Sequence, residues 1–312
     1  MTARQTAYPT SPAHPRNWGQ CATLALTWLI ARLPWRWAVS LGTSLGHLAY
    51  HLLPSRREIA RRNLELCFPE LSAAERDVLV RENFGYTGRG IAEIALGWFG
   101  GAGVDGIPVS ITGREHLQAA LADGRPVILL SGHFTSVELA ARFLGREMQV
   151  AAIYKPLRKK PVLDAAMLRA RRRNVAEAYS RDDIRGIVRS LKKGVPVWYA
   201  GDQDYGRRHS VFAPFFGVPA ATITALSRLA RMGNAHVVPL FFNCRPDGGG
   251  YEICFEPALE GFPSGDDLAD ATRMNAVVET AVRRHPAQYL WIHRRFKRQP
   301  DRTVNLYERT GP

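Results

Sequence analysis

Residues 126–139 read PVILLSGHFTSVEL. A short apolar run from Pro126 to Leu130 empties into Ser131-Gly132-His133, and Glu138 follows five positions after the histidine. In one continuous helix, positions five apart are rotated by about 140°, so His133 and Glu138 would not share a face. The stretch reads instead as strand, turn and helix. The strand ends at Leu130, Gly132 permits a tight turn, and Thr135 or Ser136 caps a helix that carries Glu138 in its first turn. His133 then stands on the turn, and Glu138 reaches back to it. A carboxylate bonded to one ring nitrogen fixes the tautomer and leaves the other nitrogen as an acceptor, which is what a general base for a hydroxyl needs.

The alternation continues on both sides. Runs rich in β-formers at 109–112, 126–130, 149–154, 196–200, 236–242 and 251–255 interleave with helical stretches near 137–146, 161–173, 182–193, 220–232 and 267–284. This order predicts an α/β fold with a mixed, largely parallel sheet flanked by helices; Pro246-Asp-Gly-Gly-Gly250 joins the last two strands as an antiparallel hairpin. In such folds chemistry gathers where strands end and helices begin. Ahead of the sheet, Ser72-Ala-Ala-Glu75 forms a capping box that starts a helix running toward Phe84, and the glycine-rich stretch 97–106 links it to the first strand.

The N-terminal region has a different character. Two uncharged apolar runs, 21–31 and 37–53, flank Arg32-Leu-Pro-Trp-Arg36. Each is shorter than the ~20 residues a spanning helix usually needs. The second sets Trp37, Leu41, Leu45, Leu48 and Leu52 on one helical stripe and Ser40, Ser44, His47 and His51 on another. Trp18, Trp28, Trp35 and Trp37 cluster around these runs as interfacial anchors do, and Arg56, Arg57, Arg61 and Arg62 follow. No small-residue cleavage site follows the first run, which argues against a signal peptide. Residues 1–55 are therefore expected to be a tail and helical membrane anchor, and 56–312 an α/β domain on the cytoplasmic side. A buried helical hairpin of a soluble protein is the competing reading.

The 312 residues, 46% of them apolar, are ample for a packed core, and 42 Lys and Arg against 28 Asp and Glu leave a net +14. That surplus predicts partners bearing phosphates or carboxylates. Nucleic acid would leave the apolar N-terminus unexplained, and no nucleic-acid motif is present, so it is not expected as a partner. Cys21, Cys67, Cys244 and Cys254 form no C-x-x-C pair, and the histidine lies in no H-E-x-x-H, so neither metal nor cofactor is expected. The absence of a G-x-S-x-G elbow points to direct attack by a substrate hydroxyl rather than an acyl-enzyme.

After Tyr154-Lys155-Pro156 the chain carries Arg158, Lys159, Lys160, Arg169, Arg171, Arg172 and Arg173 against the single acid Asp164, a one-signed stretch suited to phosphate. Next come Val197-Trp-Tyr-Ala-Gly-Asp-Gln-Asp-Tyr-Gly206, Ser210-Val-Phe-Ala-Pro-Phe-Phe-Gly217, Val237-Val-Pro-Leu-Phe241 and Gln288-Tyr-Leu-Trp-Ile-His-Arg-Arg-Phe-Lys297. These blocks, in this order after the H-x-x-x-x-E, resemble the lipid A biosynthesis acyltransferases, the lauroyl and myristoyl transferases of Gram-negative bacteria, within the wider lysophospholipid acyltransferase group. The resemblance spans roughly residues 56–298. It implies an inner-membrane enzyme facing the cytoplasm that moves a fatty acyl chain from a thioester on acyl carrier protein to a hydroxyl of a diphosphorylated lipid A precursor. Anionic membrane lipids are then a third acidic partner.

By position, the resemblance makes His133 the base and Glu138 its orienting acid. Lys155, Arg158 and Arg171 are candidate substrate ligands, although lysine at 155, where the family commonly has arginine, lacks the two-pronged fork that grips phosphate. Asp202 and Asp204, just past a strand end, either contribute to the site or serve as helix caps and arginine partners. Arg294 and Arg295 bind substrate phosphate, or else Trp291 and Phe296 dock the C-terminal segment while the cations stay in solvent. A lysophospholipid or phosphatidylinositol mannoside acceptor with a coenzyme A thioester is the nearest alternative chemistry, and a non-catalytic membrane-surface protein the next.

Overall fold

The computed structural model describes residues 10–308; positions 1–9 of the expected N-terminal tail, and 309–312, lie outside the described residues. Four helices come first: α1 (Trp18–Ile30), α2 (Trp35–Leu52), α3 (Pro54–Cys67) and the long α4 (Ala73–Phe99), followed by the single turn α5 (Ala102–Asp105). Then β1 (Val109–Thr112), α6 (Arg114–Ala122), β2 (Val127–Ser131), α7 (Val137–Glu147), β3 (Ala151–Tyr154), α8 (Pro161–Asn174), β4 (Glu177–Ser180), α9 (Ile184–Lys192) and β5 (Val197–Ala200) alternate. The chain continues through β6 (Ser210–Phe215), β7 (Val218–Ile223), α10 (Ala225–Gly233), β8 (His236–Cys244), β9 (Tyr251–Phe255) and α11 (Asp267–Arg284).

Seven strands make one sheet in the order β1-β9-β8-β2-β5-β3-β4. Every neighbouring pair is parallel except β8–β9, the hairpin closed by the proline–glycine turn. The mixed, largely parallel α/β fold read from the sequence is the fold observed. β2 is buried at all five positions, as a central parallel strand covered on both faces must be. Its alternate side chains serve two cores. Val127 and Leu129 pack with α4 and α7 (Leu96, Leu139, Phe143), while Ile128 and Leu130 pack with α9, α10 and α11 (Leu191, Leu226, Met274).

Two departures lie away from the main sheet's centre, the edge strand β4 and the ribbon of β6 and β7, none of them among the expected strands. The helix expected over 220–232 begins only at Ala225, because 218–223 is strand β7, paired with β6 in a separate ribbon. Pro214 and Pro219 discourage a strand reading, yet they face each other in the register one step in from the turn. In a two-residue hairpin that pair is the one exchanging no ladder bonds, so neither missing N–H is felt. The turn itself is Phe216-Gly217, both at positive φ (51° and 75°), a primed-turn geometry that normally calls for Asn or Gly at the first position. Aromatic packing of Phe216 against Phe68 and Phe215, at centroid distances of 5.0 Å each, accompanies the unusual backbone.

The capping box is present: Ser72 Oγ accepts from the Glu75 N–H, and the Glu75 carboxylate accepts from the Ser72 N–H. The helix it starts runs well beyond Phe84, to Phe99. Glycines explain how α4 serves several neighbours at once. A Cβ at Gly46 of α2 would stand 2.1 Å from the Phe84 carbonyl oxygen, and one at Gly88 2.2 Å from that of Gly42, so α2 and α4 meet backbone to backbone. Farther along, a Cβ at Gly90 would stand 2.4 Å from the Thr135 carbonyl oxygen, which brings α4 directly under the turn that carries His133.

Among the described residues no helix is long and apolar enough to cross a membrane. In α2 the inward face is Ala38, Val39, Gly42, Gly46 and Tyr50, and the stripe Trp37, Leu41, Leu45, Leu48, Leu52 is exposed, Trp37 by 71%. Trp18, Leu26, Trp28 and Leu29 of α1 are exposed as well.

Candidate active site

The parallel pairing of β2 with β5 sets Ser131 opposite Ala200. Two residues beyond the first comes His133, and two beyond the second comes Asp202. Equal offsets from a shared register bring the side chains together. His133 Nδ1 lies 2.5 Å from Asp202 Oδ1, and the His133 backbone N–H donates to Asp202 Oδ2 at 2.9 Å. Tyr289 donates its hydroxyl to the same Oδ2 at 2.8 Å.

Asp202 is buried, and burial alone would raise its pKa. The charge of His133 and the hydrogen bonds from His133 and Tyr289 outweigh it, and the carboxyl is held well below the usual range. Burial, and then the Asp202 charge, push the Tyr289 phenol well above its ordinary value, so it remains a neutral donor. The ionised Asp202 therefore keeps the proton of a neutral imidazole on Nδ1. The His133 side chain is 27% exposed, and its Nε2 has no hydrogen-bond partner among the described residues.

The turn is braced from behind. The Leu290 N–H donates to the His133 carbonyl at 3.1 Å and the Thr135 N–H to that of Gln288 at 2.9 Å. Asn83 of α4 and Asn63 of α3 hold the same C-terminal segment through the carbonyls of Ala287, Tyr289, Trp291 and His293. Gly132 is not in the left-handed region; its importance is spatial, since a Cβ would stand 3.0 Å from Val278 Cγ1 and 3.2 Å from Phe134. Ser131 is buried and donates to the Gly132 carbonyl.

Glu138 lies in the first turn of α7, as expected, but it is not bonded to the imidazole. Its carboxylate pairs with Arg171 through both oxygens and accepts from the Trp98 indole N–H at 3.0 Å. The Arg171 guanidinium also lies 5.7 Å from the Tyr154 ring centroid. Where the sequence set Glu138 beside His133, the register of β2 and β5 supplies Asp202, and the first turn of α7 directs Glu138 to α4 and α8. The signal available in the sequence was coarser: His133 and Asp202 each stand just past the end of an apolar strand run, while the register that pairs them is a property of the folded sheet.

The remaining candidates separate into groups. Arg295 is buried, 1% exposed, and donates to the Ala221 carbonyl, Thr222 Oγ1 and Asn275 Oδ1, so it braces the ribbon against α11 and is closed to substrate. Trp291 and Phe296 dock that segment in the core. Arg158 is an exposed partner of Asp182 at 3.0 Å. Asp204 accepts from Arg298 at 2.7 Å and from the Gly206 N–H, and its own N–H donates to His293 Nε2 at 3.3 Å. Lys155 and Arg294 share one cavity of about 410 Å³ with Asp204 and His293.

An α/β protein with a buried aspartate orienting a histidine at adjacent parallel strand ends, and with no side-chain hydroxyl or thiol bonded to the imidazole among the described residues, has the groups for acid–base work on a bound hydroxyl. The model of the bacterial lipid A biosynthesis acyltransferase family matches residues 7–298. The chain is 38% identical to the lipid A biosynthesis lauroyltransferase of Escherichia coli (strain K12), over 96% of this chain and 98% of that one. It is 38% identical to the palmitoleoyltransferase of the same organism (94% and 96% covered) and 32% identical to the myristoyltransferase (95% and 92%). The chain belongs to the bacterial lipid A biosynthesis acyltransferase family and is an acyltransferase.

Proposed function

We propose that this enzyme transfers a fatty acyl chain from an acyl carrier protein thioester to a hydroxyl of a lipid A precursor, with His133 as general base. The observation that carries the reading is the His133–Asp202 pair with an open Nε2, found in a member of this family. Nε2 takes the proton of the acceptor hydroxyl as its oxygen attacks the thioester carbonyl carbon. The tetrahedral oxyanion collapses, the carbon–sulfur bond breaks, and the departing thiolate takes the proton back from the imidazolium. Asp202 stabilises that imidazolium and fixes its tautomer; Glu138 acts at one remove by holding Arg171.

The exposed apolar face of α1 and α2 supports placement on the cytoplasmic surface of the inner membrane, lying in the interface beside anionic lipids rather than spanning it. Arg169, Arg172 and Arg173 on the exposed side of α8 suit an acidic carrier protein. Replacing His133 with alanine should abolish transfer in vitro with the protein still folded. In cells, mass spectrometry of lipid A should show the loss of one secondary acyl chain. Appreciable residual turnover by H133A would end the assignment.

A further inference from the structure

The register argument that places the dyad applies once more along the same sheet edge. β3 and β4 are parallel, with Tyr154 opposite Ser180. One residue past each stand Lys155 and Arg181, and the Arg181 N–H closes the pair by donating to the Tyr154 carbonyl at 2.9 Å. Both enter the 410 Å³ cavity, which also takes Arg56 from the first turn of α3 and Arg294, Lys297 and Arg298 from the C-terminal segment. Among the described residues Asp204 is the only carboxylate in its lining, and it is already engaged by Arg298 at 2.7 Å. Arg56, Lys155, Arg294 and Lys297 have no ion-pair partner among the described residues, and Arg181 has only Asp182 at 3.8 Å.

So many cations gathered without counter-charge repel one another, an arrangement that a dianion relieves. The cavity opens at the carboxyl ends of the strands, the same sheet edge as His133. It is joined to that residue through His293, which accepts from the Asp204 N–H and follows the segment bonded to the His133 carbonyl. Arg56 links it to the apolar face, since the exposed Leu52 and Leu53 lie just before it in the chain. The cavity is larger than a phosphate alone fills, which leaves room for the ring that carries it.

We propose that Arg56, Lys155, Arg181, Arg294 and Lys297 form the seat of a phosphate monoester on the acceptor lipid, and so set which acceptor hydroxyl reaches His133. The proposal rests on the acyl-transfer reading. Of its residues, Arg181 is not singled out by the sequence, and Arg56 figures there only in the basic cluster after the apolar runs.

The test uses the full chain in mixed micelles, with the phosphorylated lipid A precursor and the same lipid stripped of phosphate by a phosphatase. The variants are Arg181→Gln and the double variant Arg56→Gln/Lys297→Gln, all at exposed positions; Lys193→Gln, exposed just past the C-terminal end of α9, serves as control. With the phosphorylated acceptor, each cavity variant should raise the acceptor KM about tenfold or more, the value expected for losing a charge-assisted contact, with donor KM unchanged. With the stripped acceptor, wild type and variants should converge. Inorganic phosphate should compete against the acceptor in wild type and less well in the variants.

A rise in donor KM instead would assign the cavity to the donor's phosphate and overturn the proposal. An equal loss on both acceptors, or an equal loss in the control, would reduce it to general surface charge and overturn it as well. Failure of the underlying reading has a different signature, namely no transfer by wild type to either acceptor, or turnover that survives H133A.

Discussion

Replacing Asp202 with asparagine isolates the group that orients the base. The amide is nearly isosteric, but only one of its two ends can accept. Oδ2 of Asp202 faces two donors, the His133 backbone N–H at 2.9 Å and the Tyr289 hydroxyl at 2.8 Å, so the amide oxygen must take that side. The NH2 group is then turned toward His133 Nδ1, where the carboxylate oxygen stood at 2.5 Å. Two donors cannot face each other at that distance, so Nδ1 becomes the acceptor and the ring proton moves to Nε2, the nitrogen that should receive the substrate's proton. The loss combines base and tautomer and should amount to roughly 10³–10⁴-fold in kcat, with acceptor KM little changed. Long-range ¹⁵N spectra of the imidazole should report the Nδ1–H tautomer in wild type and the Nε2–H tautomer in D202N. Glu138→Gln should leave that tautomer alone, because Glu138 bonds Arg171 and Trp98. Turnover within tenfold of wild type in D202N, or a tautomer switch in E138Q, would refute the reasoning.

Further outcomes follow from the same contacts. Because Asp202 is held below its unfolded value near 3.8, its stabilisation is fully present above that pH and drains away as pH falls below it; acid denaturation followed by circular dichroism should therefore be less steep below about pH 4 in D202N than in wild type. Arg295→Ala opens a cavity and takes a donor from three buried acceptors, of which Thr222 Oγ1 keeps the Asn275 amide, so it should cost about 3 kcal/mol in chemical denaturation, in the absence of any direct effect on substrate binding. Gly46→Val must push α2 from α4, at about 1–3 kcal/mol, and a thermal midpoint equal to wild type would contradict the close approach. Trp37→Glu and Leu45→Glu should each weaken flotation with anionic vesicles about tenfold or more while leaving the fold intact, since both side chains are exposed on the outer stripe of α2.

Much of the fold could be read from the sequence because the central strands are continuous apolar runs and the helices between them are amphipathic; PVILL needed no context to be a buried strand. β6, β7 and the edge strand β4 escaped for separate reasons. Two prolines and a phenylalanine at a left-handed turn position contradict local strand rules and are tolerated only because of register and aromatic packing. β4 is half-buried at all four positions, so its pattern shows neither a core face nor a clear alternation. At the site, His133 was identifiable from where its strand ended. Local spacing points to Glu138, a neighbour in the chain, as its carboxylate partner, whereas strand pairing brings in Asp202, 69 positions away. Arg295 reads in the sequence as an accessible cation, a phosphate ligand or a solvent-facing charge, because its burial depends on the ribbon and α11, neither of which its own segment reveals.

The shared register of β2 and β5 also governs how the chain tolerates changes in length. Insertions or deletions in the loops that bound α8 and α9 leave both strands, and the two-residue leads beyond them, in place, so the 69-residue interval between histidine and aspartate is free to vary. One residue added inside β5 has the opposite consequence: it shifts every later side chain to the other face of the sheet and carries Asp202 out of reach. Homologous enzymes of quite different length are therefore compatible with one dyad, provided that the count from strand end to each partner stays at two.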